Sequence, residues 1–162
     1  MAEEQLMGMS LDPNTNYPKD YKSGQRFQCV KSGILTTIKV YCLANSNVKV
    51  ALYKDAAGPV PYELLAYSDS TALTAGAYRS ISLVSSYAVT KDTYYWILAT
   101  CGTTGGVGYK KEASYAVRYK ADAYANAWPD PITGTTLDPT AIFIGLQGWG
   151  ETSLFRPQVI LL

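Results

Sequence analysis

Histidine is absent from all 162 residues of the chain. Its absence removes the commonest metal ligand and general base, and with them the Ser-His and Cys-His nucleophile pairs. Cysteine is scarce: Cys29, Cys42 and Cys101 are odd in number, widely spaced and without a C-x-x-C pair. They frame neither a disulfide scaffold nor a zinc site. Each stands in an apolar, strand-like context, which reads as a small buried side chain. Charge is low as well, at 17% of residues against about 25% in an average domain. The net charge is +1 with no long run of Lys or Arg, which leaves no footprint for nucleic acid. No apolar run reaches the roughly eighteen residues of a membrane span. The first ten residues carry Glu3 and Glu4 but no basic or apolar signal region, so no cleaved secretory signal is expected.

What is present points to β structure. Hydrophobic residues make up 48% of the chain, with 14 Tyr, 13 Gly and 8 Pro, a mixture suited to many short strands and turns. One domain is expected at this length. The clearest strand follows the turn Thr90-Lys91-Asp92 and runs to Cys101. At period two, Tyr95, Ile97, Ala99 and Cys101 share one face, and Tyr94, Trp96, Leu98 and Thr100 the other. Both faces are largely apolar, so this is read as a central strand covered on two sides.

The rest of the chain reads as shorter strands around it. Residues 1–24, with Pro13, Pro18 and Gly24, read as an N-terminal extended arm, leaving 25–162 for the folded domain. Strands are expected over Gln25–Val30, Ile34–Ala44, Val48–Tyr53, Tyr62–Tyr67 and Tyr78–Val84. In the second of these, Ile34, Ile38, Val40 and Cys42 are placed on one face. Val107–Lys111 and Ser114–Lys120 read as a hairpin, and Ala141–Gln147 and Pro157–Leu162 as the last strands. Ala121–Pro139 is long for a loop, with Pro129, Pro131 and Gly134, and such loops are usually functional or packed by their own side chains. The expected fold class is all-β, an antiparallel β-sandwich of jelly-roll type.

Several segments carry a resemblance: Gly24-Gln-Arg-Phe27, Ser32 to Tyr41, Asn47 to Asp55, Leu64-Leu-Ala66, Thr74-Ala-Gly76 and Thr90 to Ala99. Together with Tyr124, Trp128-Pro-Asp-Pro131 and Ala141 to Leu146, their order resembles a repeated β-sandwich module of bacterial, archaeal and phage proteins. That module is a jelly-roll domain of surface and virion proteins without an assigned activity. The resemblance spans residues 24–147, implies a fold, and supplies no catalytic residues. With no signal or anchor expected, it implies a virion location, with the cell surface as the alternative.

Chemical motifs are thin. Asp55, Asp69, Asp92, Asp122, Asp130 and Asp138 lie in expected loops, where Asp serves turn geometry. No pair is placed for acid-base work, and no D-x-D-x-D run suggests calcium. Gly102-Thr-Thr-Gly-Gly-Val-Gly108 lacks the Lys-Ser/Thr and helix of a phosphate loop, so it reads as a hairpin loop. No enzyme, cofactor or metal is expected. The aromatics of the second half are the candidate ligand-binding residues: Tyr109, Tyr119, Tyr124, Trp128 and Trp149, with Tyr115 beside them. Rings next to Asn, Asp and Gln suit a surface glycan, since apolar sugar faces stack on rings while hydroxyls hydrogen-bond. The same rings suit a protein interface, and several must be core; for any single residue, core or interface packing is preferred to glycan contact. The expected function is a non-enzymatic structural protein of a virus particle, a capsid decoration or fibre protein. It would form a homo-oligomer and dock on a capsid or other virion protein. A carbohydrate-binding or adhesion module is the alternative.

Overall fold

The computed structural model describes residues 3–10, 13–111, 117–138 and 142–152. In chain order its strands are β1 (Glu4–Gly8), β2 (Thr15–Asn16), β3 (Tyr21–Gln28), β4 (Gly33–Cys42), β5 (Ser46–Ala56), β6 (Val60–Tyr67) and β7 (Thr71–Leu73). They continue as β8 (Ala77–Val89), β9 (Tyr94–Cys101), β10 (Gly108–Lys111), β11 (Val117–Ala121), β12 (Thr136–Asp138), β13 (Ile142–Ile144) and β14 (Leu146–Thr152). No helix occurs among the described residues.

The aromatic and β-branched run of β9 sits inside the larger sheet, order β12-β11-β3-β9-β5-β6, with β7 added against β5. A second sheet, order β1-β14-β4-β8, packs over one of its faces, and β13-β10-β2 forms a smaller third sheet. Every pairing among the described residues is antiparallel. The fold is therefore an all-β antiparallel sandwich.

Alternation along β9 separates two apolar layers. Tyr95, Ile97, Ala99 and Cys101 join Phe27, Val48, Val50 and Leu52 in the core between the main sheets. Leu6, Met7, Leu35, Ile38, Val40, Ile81 and Leu146 meet them from the second sheet. On the opposite face Trp96 and Leu98 pack with Ala51, Tyr53, Trp128 and Ile132. The cover on that side is the long segment after β11. Gly24 holds β3 close to β9, because a Cβ there would meet the carbonyl oxygen of Ile97 at 1.9 Å. All three cysteines are buried free thiols, and burial pushes the Cys42 thiol up to about 11.

Three expectations change. The first 24 residues, read as an arm, carry β1, β2 and the start of β3, with Leu6 and Met7 buried in the core. In β4 the side chain facing the core is Leu35, while Ile34 is 41% exposed. The cause is a β-bulge: Thr36 is skipped between Leu35 and Thr37 in the pairing with β14. One extra residue reverses the alternation, so Leu35 lies inward together with Ile38, Val40 and Cys42. Finally, β10 and β11 do not form a hairpin. β10 pairs with β13 and β2, and β11 with β12 and β3. The Gly102–Gly108 loop carries the chain from the large sheet to the third one. The Gly105 carbonyl accepts the N–H groups of Leu43 and Ala44, and the Gly105 N–H donates to the Tyr17 carbonyl. Expected strand residues Ala141 and Pro157–Leu162, and Tyr115, lie outside the described residues.

Candidate functional site

The five candidate aromatics go to three separate places. Trp149 lies on β14 in the second sheet, where its Nε1 donates to Gln147 Oε1 at 2.8 Å and Lys39 Nζ sits 3.4 Å from its ring centroid. Tyr109 and Tyr119, on β10 and β11, line one cleft with Tyr17 and Tyr21. Tyr124 and Trp128 belong to the cover over the large sheet, and Trp128 lines a second cleft beside Lys49, Tyr67, Asp69 and Ser70.

The cover is held by polar groups on the sheet beneath it. Lys22 on β3 is fully buried, and its ammonium reaches Asp122 at 2.5 Å. Asp122 also accepts the Asn126 amide at 2.6 Å. Burial raises the Asp122 pKa, but the hydrogen bonds from Lys22 and Asn126 outweigh it and hold the carboxyl below its ordinary value. Tyr53 donates its hydroxyl to the Pro129 carbonyl at 2.7 Å, and Asp130 accepts the Leu64 N–H at 3.0 Å. The Ile132 N–H donates to the Tyr62 carbonyl. These anchors seat Trp128 edge-on against Tyr53, with centroids 6.2 Å apart, and place Lys22 Nζ 5.6 Å from its ring. Trp128 is 8% exposed, and its Nε1 is buried with no hydrogen-bond partner among the described residues.

The cleft beside Trp128 has a volume of about 330 Å³. Its walls mix rings with polar groups. Tyr67, at the end of β6, is 40% exposed. Lys49 lies 4.7 Å from the Tyr124 ring centroid and donates to the Asn126 carbonyl at 2.9 Å. Burial, then the nearby Lys22 charge, lowers the Lys49 pKa. The hydroxyls of Ser70 and Tyr124 are 2.6 Å apart, while the Ser68 hydroxyl accepts the Val50 N–H. Asp69 has no hydrogen bond or ion pair among the described residues. The cleft therefore offers an aromatic wall, a carboxylate, an ammonium and the hydroxyl-bearing Ser68 and Ser70 along its lining.

The other cleft, about 230 Å³, is walled by Tyr17, Tyr21, Tyr109 and Tyr119 with Pro18 and Asp138. Tyr17 is buried, and burial drives its phenol far above the ordinary range.

Lys22, Lys49, Tyr67 and Asp69 escaped the sequence reading. Lys22 falls in the segment read as an N-terminal arm, and Asp69 in an expected turn-rich loop. Lys49 alternates with Val48, Val50 and Leu52 along its strand, and that local pattern does not report the cover above it, whose Asn126 lies 77 positions along the chain.

No protein-family model, no curated protein and no solved structure matches the chain.

Proposed function

We propose that the chain is a non-enzymatic recognition module that binds a saccharide in the Trp128 cleft. The observation that carries this reading is the composition of that cleft, with Trp128 and Tyr67 beside Lys49, Asp69 and Ser70. A sugar ring presents an apolar face to stack on aromatic carbon and equatorial hydroxyls to meet a carboxylate, an ammonium and hydroxyls. The volume is near the low end of the roughly 300–1,000 Å³ of small-ligand sites, which suits one or two sugar units. An array of microbial and phage-receptor glycans tests it, followed by titration of the strongest binder. Saturable binding to a defined saccharide is expected, and an array without hits overturns the reading.

The setting we infer is a virus particle, as a capsid decoration or fibre protein with jelly-roll wiring, with a microbial surface as the alternative. The specific support is at the sheet edges. Val84 on β8 and Leu137 on β12 are exposed apolar side chains on strands that end the two main sheets. Such edges favour lateral pairing with further chains, as a self-assembling shell or fibre component requires. Light scattering after size exclusion is expected to give a defined oligomer, and Val84→Lys with Leu137→Lys is expected to shift it toward monomer. A wild-type monomer at every concentration contradicts this second reading and leaves the first standing.

A further inference from the structure

We propose that the four-tyrosine cleft is a binding site for a quaternary ammonium group, separate from the saccharide cleft. Four segments bring its walls together: Tyr17 follows β2, Tyr21 opens β3, Tyr109 lies on β10 and Tyr119 on β11. The rings meet edge to face in series. Tyr109 and Tyr17 have centroids 5.6 Å apart at 81°, Tyr17 and Tyr21 6.4 Å at 88°, and Tyr21 and Tyr119 5.8 Å at 69°.

Near-perpendicular rings form the corners of a box, whereas a sugar needs one flat ring to lie on. A box suits a compact, rounded group. The negative faces of aromatic rings attract a cation within about 6 Å of their centroids, and aromatic cages recognise quaternary ammonium in this way. Charge at the site agrees. Asp138 lines the cavity, and no Lys or Arg is among its described lining residues. The Asp138 charge also reaches Tyr17, raising its pKa together with the larger effect of burial. A cavity of about 230 Å³ is smaller than the roughly 300–1,000 Å³ of sites for drug-sized ligands, and a trimethylammonium head needs no more. A primary ammonium would have to shed strongly held water to enter such a wall of rings, whereas a quaternary one has no N–H to leave unsatisfied.

Titration of the full-length chain with choline and tetramethylammonium, followed by NMR of the tyrosine rings, tests the site. The neutral isostere 3,3-dimethylbutan-1-ol is the control for charge. Saturable binding of both cations is expected, with the isostere at least tenfold weaker. Tyr119→Ala is expected to weaken choline at least tenfold, Tyr119→Phe to retain it, and Asp138→Asn to weaken it severalfold. The Phe and Asn variants keep the shape of the cleft, so a misfolded Ala variant does not decide the matter. Vesicles of phosphatidylcholine, compared with free choline, show whether the head group is taken from a lipid surface or from solution. Absence of cation binding at millimolar concentrations, equal binding of the isostere, or unchanged affinity in both Tyr119→Ala and Asp138→Asn overturns the proposal. Saccharide binding in the Trp128 cleft is unaffected by these outcomes.

Discussion

At the scale of single residues, Lys22 is the least expected feature. An ammonium with no exposure is tolerated only when a partner carries the opposite charge, and Asp122 supplies it at 2.5 Å. Asp122 keeps a side-chain exposure of 15%, so its own desolvation is incomplete. Breaking a buried pair by removing one partner costs about 3–5 kcal/mol, and the partial exposure places Asp122→Ala near the low end, at about 3 kcal/mol. Urea denaturation checks this value, and Lys22→Met combined with Asp122→Ala is expected to recover part of the loss, because no unpaired charge then remains. The pH dependence has a definite sign. The folded carboxyl titrates below its ordinary value of 3.8, so the native state binds the proton less readily than the unfolded chain. The contribution is therefore complete above that ordinary value and disappears as pH falls through the depressed folded one. Asp122→Asn is expected to flatten the acid limb of the stability profile there, and an unchanged limb contradicts this role.

At the scale of elements, the strand β9 and the bulge in β4 show what the sequence discloses. The period-two pattern of Tyr94–Cys101 was legible because both of its faces are apolar, and each face finds the layer its residues require. The cover over the outer face was legible only as a long loop with Trp128. Its anchors, Lys22 to Asp122 and Tyr53 to Pro129, join residues that the chain separates by 100 and 76 positions, and no local pattern reports such pairs. The bulge was hidden for a different reason. Ile34 and Leu35 are equally apolar, so one inserted residue decides which of them is buried, and composition does not distinguish them. A paired measurement checks the register. Leu35→Ala is expected to cost about 2–5 kcal/mol as a buried aliphatic truncation, while Ile34→Ala is expected to stay within about 0.5 kcal/mol as a surface change. Comparable losses at the two positions contradict the bulge.

At the scale of the whole molecule, the sandwich turns one face of its large sheet toward the common core and the other toward a cover assembled from distant chain. The gap between that cover and the end of β6 is where Trp128, Tyr67, Lys49 and Asp69 come together. The candidate aromatics were all visible in the sequence, yet only the fold separates them, since Trp149 lies on the second sheet and Tyr109 and Tyr119 line a different cleft. Residues 4–8 are a core strand paired with β14, so the proposed self-association is assigned to the sheet edges and not to an N-terminal arm. Recognition in the Trp128 cleft is the central claim. Trp128 itself also packs on Tyr53 and Leu98, so its removal would confuse binding with folding. Tyr67 and Asp69 are the better probes, since both are exposed. The decisive measurement is calorimetric titration of the best saccharide into the wild type, Tyr67→Ala and Asp69→Asn, with thermal unfolding recorded for each. Affinity is expected to fall about tenfold or more in each variant, about 1.4 kcal/mol per factor of ten, with the unfolding midpoint unchanged. Full affinity in both variants, at the same stability, would contradict a saccharide site in this cleft.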